Sequence, residues 1–366
     1  MKTLRKYIYF DKLWVLINFF DFFGYHNNVA LLKGDEFMNF KKRLLPLLAL
    51  LLFIMPLNVS AYSNEIILGG QNVGIEVSSK KITIVGFYKV GNSYIAKESG
   101  LKIGDSVIKI GNTNIYSISD MVNSINLNVR NDKVDITVLR NDKEITINLK
   151  LVKDSNNTYK TGIYVKDQIT GIGTLTYIDP KTKIFGALGH EIIDTSTSKQ
   201  LEIKDGKIFK STITGTIKST DYTTGEKNAV FYSNEIYGNV LENTTSGIFG
   251  TYKVVPKYRS LIEVGKPNEI ELGKASIFTV VDGDKTEEFA IEILKINDDV
   301  SVKNILFKIT DKVLIEKTNG VIKGMSGSPI VQNNKIIGAV THAVVNDSNN
   351  KGYGIFITTM LEEGEN

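Results

Sequence analysis

The chain has 366 residues, a formal net charge of +4, 42% hydrophobic residues and no cysteine. This composition is typical of a globular protein, and the mild charge, with no dense basic stripe, argues against nucleic acid as a partner. The absence of cysteine excludes disulfides, thiolate metal sites and a cysteine nucleophile. No histidine cluster suggests a metal site and no phosphate-binding glycine loop is present, so we expect no cofactor.

Residues 38–61 have the pattern of a secretory signal peptide. Lys41-Lys42-Arg43 precedes an apolar run, Leu44 to Leu57, which ends at the small-residue site Val59-Ser60-Ala61. The run is shorter than the ~20 residues that a membrane-spanning helix needs. An uncleaved membrane anchor is the alternative, and in both cases we expect the rest of the chain to be exported.

Residues 1–37 precede this leader, although a signal peptide normally begins close to its basic residues. We hypothesise that Met38 is the true start and that residues 1–37 are a wrongly assigned or extra N-terminal extension. The alternative is a genuine extension whose apolar stretch, Trp14 to Phe23, makes an additional membrane contact.

Residues 66–152 are predicted to form short strands around one or two helices. One helix begins at Ser117, which forms a capping box with Asp120. The segment from Ser99 to Asn112 has glycines at turn positions, and Asp105 is suited to bonding its own turn backbone. This segment resembles the G-L-x-x-G-D region of PDZ domains, especially those associated with bacterial proteases.

PDZ domains bind a peptide by adding it as a strand to a sheet edge, and they hold a terminal carboxylate in backbone amides. The matching loop here ends in Val73, Gly74 and Ile75. We expect these residues to contact a peptide C-terminus or an internal peptide segment. The alternatives are a glycine turn without a ligand and an internal contact with the following domain.

Residues 160–366 are rich in β-branched residues and in short alternating runs, which predicts an all-β domain. Within it, Gly324-Met325-Ser326-Gly327-Ser328-Pro329 leads into a predicted hairpin that ends near His342. A G-x-S-G-x-P segment before a hairpin resembles the nucleophile loop of chymotrypsin-like peptidases. The predicted fold class is therefore mainly β, a PDZ domain followed by a chymotrypsin-like double β-barrel.

The residue types in this loop fit acyl transfer chemistry. Flanking glycines allow a tight turn, so that the backbone N–H groups of Gly324 and Ser326 can face a developing oxyanion. Ser326 is the predicted nucleophile, and Ser328 occupies the position at which the motif allows glycine or serine.

The predicted base is His190, which follows an apolar strand upstream of the serine. His26 lies in or before the leader and is excluded. Thr341 and His342 follow the nucleophile at the position where some chymotrypsin-like peptidases line the pocket for the substrate side chain, and we predict that they do so here.

The order of these motifs resembles the SpoIVB family of sporulation serine peptidases, from about residue 60 to the C-terminus. The resemblance implies a catalytic triad of His190, Asp311 and Ser326. In ordinary chymotrypsin-like chains the acid lies closer to the histidine in sequence. The sequence alone therefore equally allows one of three other acids, and Asp311 could instead support the nucleophile loop. The three are Asp221, Asp282 and Asp284.

The resemblance also implies a biological role. SpoIVB-type peptidases cleave themselves and a membrane-bound regulator of an intramembrane metalloprotease in the forespore intermembrane space, which activates a late mother-cell sigma factor. Two other functions compete with this one: a catalytically inactive PDZ scaffold, and a general extracytoplasmic quality-control protease of the HtrA type, in which the PDZ domain normally follows the peptidase.

Overall fold

The structure, a computed structural model, describes residues 62–194, 198–256, 261–344 and 350–365. The predicted leader and the extension before it lie outside the described residues. None of the described helices is both long and apolar enough to cross a membrane. Strands dominate the chain, and the prediction of a mainly β protein is confirmed.

The first lobe is a sheet wrapped around a core that includes Val73, Leu175 and Phe185. Its strands are β1 (Glu65–Leu68), β2 (Asn72–Phe87), β9 (Ile163–Ile178), β10 (Ile184–Ala187), β11 (Ile193–Asp194), β12 (Lys199–Gln200), β13 (Ile203–Ile217), β14 (Glu226–Thr244) and β15 (Gly247–Tyr252).

The PDZ lobe lies between β2 and β9 in the chain and has its own core, which includes Ile84, Val107 and Ile136. Its further elements are α1 (Ile95–Glu98), β3 (Ser106–Ile110), β4 (Thr113–Asn114), α2 (Ile118–Asn128), β5 (Lys133–Arg140), β6 (Lys143–Lys150), β7 (Val152–Lys153) and β8 (Tyr159–Lys160).

The structure contains the helix cap and the turn that the sequence predicts for this lobe. Ser117 caps α2 by accepting a hydrogen bond from Asp120 N at 3.0 Å, while the Asp120 carboxylate accepts from Tyr116 N rather than from Ser117. Asp105 accepts from Lys102 N within its own turn and also pairs with Arg140 at 2.6 Å. Its burial is therefore compensated by a charge partner.

The second lobe packs around Ile277, Phe307 and Ile330. Its elements are β16 (Leu261–Val264), a short 3-10 turn (Pro267–Glu269), β17 (Gly273–Thr279), β18 (Glu287–Ile296), β19 (Ile305–Ile309), α3 (Lys312–Thr318), β20 (Pro329–Gln332), β21 (Lys335–Ala343), β22 (Lys351–Phe356) and α4 (Ile357–Gly364). Strand β16 joins the two lobes, because it pairs with β1 on one side and with β21 on the other.

Two long strands, β2 and β9, belong to both the first lobe and the PDZ lobe. They pair with each other in antiparallel register from Asn72↔Thr174 to Phe87↔Ile163, with a shift between Ser78 and Thr83. The start of β2 also pairs with β13, whereas its end pairs with β3 of the PDZ lobe. The predicted boundaries at 152 and 160 therefore do not separate two independent sheets.

Candidate active site

The nucleophile loop, residues 324–329, connects the segment after α3 to β20. Gly324 and Gly327 have φ values of +92° and +91°, a backbone region that favours glycine. A Cβ on Gly327 would clash with the Thr174 carbonyl oxygen and the Leu188 backbone nitrogen. The glycines of the motif are thus required both by the turn and by the close approach of the first lobe.

Three carbonyl groups of this loop are held by β9. Thr174 Oγ1 donates to Gly324 O at 2.8 Å, and Thr174 N donates to Ser326 O at 3.0 Å. Thr176 Oγ1 donates to Gly327 O at 2.8 Å. Both threonines are fully buried. Buried hydrogen bonds of this kind fix the peptide planes of the loop.

With the carbonyls held, two N–H groups of the loop remain available. The N–H groups of Met325 and Gly327 donate to backbone carbonyls within the fold. Across the described ranges, no acceptor is found for the N–H of Gly324 or of Ser326. These are the two donors that the sequence predicts for an oxyanion hole, and unpaired amides beside a serine hydroxyl suit that role.

The Ser326 hydroxyl donates to the backbone carbonyl of Thr341 at 2.9 Å. The Thr341 side chain is buried and donates to Tyr353 O, so this residue contributes its backbone rather than its side chain to the site. Ser328 differs from Ser326 in being fully buried, and no described residue is a partner for its hydroxyl. Of the two serines in the motif, only Ser326 is partly exposed.

His190 follows β10 through a turn in which Leu188 and Gly189 have φ values of +69° and +70°. Leu188 lies against Gly327 of the nucleophile loop, and a Cβ on Gly189 would lie 3.0 Å from Thr341 Cγ2. The residues just before His190 therefore contact the residues that flank the Ser326 hydroxyl. Histidine and serine are brought to the same place from the two lobes.

The His190 ring is oriented by the backbone. Its Nδ1 lies 2.8 Å from Glu191 O, and a carbonyl at this distance requires a proton on Nδ1. Nε2 is then the nitrogen that can accept a proton. Burial lowers the pKa of His190, although the hydrogen bond and the charge of Glu191 oppose that shift. The neutral base form is therefore favoured at neutral pH.

His342 lies beside His190, with 5.2 Å between the ring centroids. Burial, followed by the charges of His190 and Lys303, lowers the pKa of His342 to about 4. Its Nδ1 is buried, and no described residue is a hydrogen-bond partner for it. His342 is therefore a neutral imidazole beside His190 at neutral pH, and its role in a substrate pocket stays a prediction.

The structure does not bring Asp311 to His190. Asp311 is the N-cap of α3, where its Oδ1 accepts from Leu314 N at 2.9 Å. No contact among the described residues joins its carboxylate to His190, and the carboxylate does not contribute to the shifted pKa of His190. The structure therefore shows Asp311 as a helix cap and His190 oriented by a backbone carbonyl, and Asp311 as the acid of a triad stays a prediction. The three alternative acids, Asp221, Asp282 and Asp284, have exposed side chains.

Val73, Gly74 and Ile75 lie in β2, and they are not at a free sheet edge. They pair with β9 on one side and with β13 on the other. Val73 and Ile75 are buried in the first lobe, and a Cβ on Gly74 would clash with the Phe209 ring. The predicted peptide contact is therefore wrong, because no ligand strand can add where both edges are occupied. The internal contact with the following domain was the correct alternative.

A free edge is present on β9 instead. Over Ile163 to Ile172, β2 pairs with one edge of β9, and no described strand pairs with the other. Helix α2 lies beside this edge, where Ile118 N donates to Asp167 Oδ2 at 3.4 Å. Val122 on α2 is 51% exposed. A free strand edge beside a helix with an exposed apolar side chain could take up a peptide as an added strand, as PDZ domains do.

Sequence reasoning missed Thr174 and Thr176. Their signal was a pair of hydroxyl residues flanking Leu175 near the end of β9, where the last six residues of the strand are all buried. A buried hydroxyl requires a partner, and here both partners are carbonyls of the nucleophile loop.

Comparison with known families agrees with this geometry. A family model described as SpoIVB peptidase S55 matches residues 157–361. A PDZ domain model matches residues 72–151, which include the start of β2 that the structure assigns to the first lobe. No curated protein matches the chain.

Proposed function

The chain belongs to the SpoIVB peptidase S55 family and is a sporulation serine peptidase with an N-terminal PDZ domain, and from this we propose that it is an exported signalling endopeptidase with Ser326 as nucleophile and His190 as base. The observation that carries the site assignment is that, among the described residues, the N–H groups of Gly324 and Ser326 have no acceptor, while β9 holds three carbonyls of the same loop beside the serine hydroxyl.

The reaction begins when the Ser326 hydroxyl leaves Thr341 O and turns to His190 Nε2. As Oγ attacks the peptide carbonyl carbon, Nε2 takes its proton. The carbonyl oxygen becomes an oxyanion and accepts from the N–H groups of Gly324 and Ser326. His190 then protonates the leaving amine, and water, activated by the same base, releases the acyl group from Ser326.

The proposed substrates are the protein itself and a membrane-bound regulator of an intramembrane metalloprotease. Their cleavage in the forespore intermembrane space would activate a late mother-cell sigma factor. Support for export comes from the basic and apolar leader at residues 38–61. Mass spectrometry of the mature N-terminus tests it, since cleavage after Ala61 is expected for a signal peptide and an intact leader for an anchor.

The proposed partner of the PDZ domain is an extended peptide, either a C-terminus or an internal segment. It would add as a strand to the free edge of β9 between Ile163 and Asp167, with an apolar side chain against Val122. This location replaces the one expected from the sequence.

Labelling by a fluorophosphonate probe tests the nucleophile. We expect wild type to be labelled and to cleave itself, and Ser326→Ala to do neither. Ser328→Ala is the matched control: it removes a hydroxyl two residues away that is buried without a partner, and such a change is close to neutral for stability. Equal labelling of wild type and Ser326→Ala would refute the assignment, and absence of any label would favour the scaffold. Broad degradation of casein would favour the quality-control protease.

A further inference from the structure

Lys227, near the start of β14, is a buried cation that the proposed reaction does not use. Its side chain is 3% exposed, and its Nζ donates to Thr279 Oγ1 at 3.0 Å. Thr279 is itself fully buried. Lysine is almost never buried without a charged partner, because removing the ammonium from water is costly.

The side chain lies against the nucleophile loop. A Cβ on Gly324 would be 3.1 Å from Lys227 Cδ and 3.3 Å from Lys227 Cβ, so the aliphatic part of the lysine packs directly on this glycine. The backbone is held as well: Lys227 N donates to Lys323 O at 3.0 Å, and Lys323 N donates to Gly225 O at 2.8 Å. The residue preceding one oxyanion donor is thus fixed to this part of β14.

No carboxylate among the described residues forms an ion pair with Lys227. Glu226 on β14, Lys323 before the nucleophile loop and Asp282 beyond β17 have exposed side chains. Glu287 on β18 lies opposite Thr279 in the strand register, and its carboxylate pairs with Lys285 at 3.5 Å. Burial is the cause that lowers the pKa of Lys227, to about 7. A methionine would fill the same space without this cost, so packing alone does not explain a lysine here.

We propose that Lys227 is a positioning residue of the oxyanion loop: its side chain holds Gly324 in place, and its ammonium form supports the negative charge that develops on the substrate oxygen. A positive charge in a site of low dielectric constant acts strongly on such an oxyanion. The proposal rests on Ser326 being the nucleophile.

The rate of fluorophosphonate labelling measures this effect without a known substrate, because the probe oxygen occupies the oxyanion site. The full chain is compared as wild type and as Lys227→Met, from acidic pH to about pH 9. For wild type, the maximal labelling rate should rise as His190 becomes neutral and fall again as Lys227 loses its proton. For Lys227→Met, we expect the maximal labelling rate to be lower by on the order of 10-fold, with unchanged affinity for the probe. Its labelling rate should not fall at alkaline pH, and its melting temperature should not be lower than that of wild type.

Two further variants, Thr279→Val and its control Thr137→Val, test the proposal even if Lys227→Met does not fold. Thr279→Val removes the acceptor of the ammonium, so the alkaline fall should move to lower pH. Thr137→Val is the matched control, since it removes a buried hydroxyl in the PDZ sheet that bonds Thr146, far in the chain from the nucleophile loop. It should keep the wild-type profile.

The outcomes are distinguishable. If wild type is labelled and Lys227→Met has the same labelling rate and pH profile, this inference alone is overturned and the lysine has only a packing role. An alkaline limb that does not move in Thr279→Val overturns it as well. Wild type that is not labelled at all overturns the proposed function and this inference with it.

Discussion

Replacing Asp311 by asparagine and by alanine separates its two candidate roles, because each role makes a different demand on the side chain. As the N-cap of α3, Asp311 accepts one hydrogen bond from Leu314 N at 2.9 Å. Asparagine caps a helix about as well as aspartate, whereas alanine costs about 1 kcal/mol. From the structure we therefore expect Asp311→Asn to keep both stability and labelling, and Asp311→Ala to lower the free energy of unfolding by about 1 kcal/mol.

A triad acid would behave in the opposite way. Replacing such an aspartate by asparagine leaves the geometry intact but lowers kcat by ~10⁴, because the histidine takes the wrong tautomer. The assay is the fluorophosphonate labelling rate of both variants, with thermal unfolding measured in parallel. The assignment of Asp311 as a cap alone is refuted if Asp311→Asn melts at the wild-type temperature but loses labelling by orders of magnitude.

Three further predictions concern the nucleophile loop, the two histidines and the PDZ lobe. Thr174→Val leaves Gly324 O buried and unpaired, which should lower the free energy of unfolding by about 1–3 kcal/mol and slow labelling. A variant that is destabilised but is labelled at the wild-type rate would contradict a role of Thr174 in the loop. The pKa values of His190 and His342 are lowered in the fold, so the unfolded chain binds more protons than the folded chain below about pH 6.5. Urea unfolding should therefore show that stability falls as the pH drops from 6.5 towards 4. Labelling should reach half its maximum below pH 6.5. Val122→Asp should weaken binding of a peptide selected on wild type by roughly 10-fold or more in fluorescence anisotropy, and unchanged affinity would place the peptide elsewhere.

The parts of the site that the sequence predicts are those whose information is local. The turn around Ser326 requires glycines at fixed offsets, and the cap at Ser117 requires a partner three residues later, so both patterns are visible in a short window. The capping role of Asp311 was not predicted, although Asp311 precedes a seven-residue helix that ends at Asn319 in the left-handed region.

Strand pairing, by contrast, is not local. Val73, Ile75 and Val77 alternate with less buried neighbours in the same way whether β2 pairs with a peptide or with β9 and β13. The alternation therefore predicts a strand but not its partners. The burial of Lys227 could not be predicted for a related reason, because nothing in the neighbouring sequence distinguishes a buried lysine from an exposed one.

Strand β9 explains why the PDZ lobe and the active site are not independent. Its first residues form the free edge beside α2, and its later residues, Thr174 and Thr176, hold the nucleophile loop. From Asp167 to Thr174 the strand rises about 23 Å at ~3.3 Å per residue, and β9 continues without interruption where β2 shifts its register. A domain joined by a linker moves freely, whereas a peptide added to this edge would bond to the same strand that fixes Gly324 and Ser326. The proposed oxyanion donors therefore owe their geometry to a strand whose other end is the proposed docking edge.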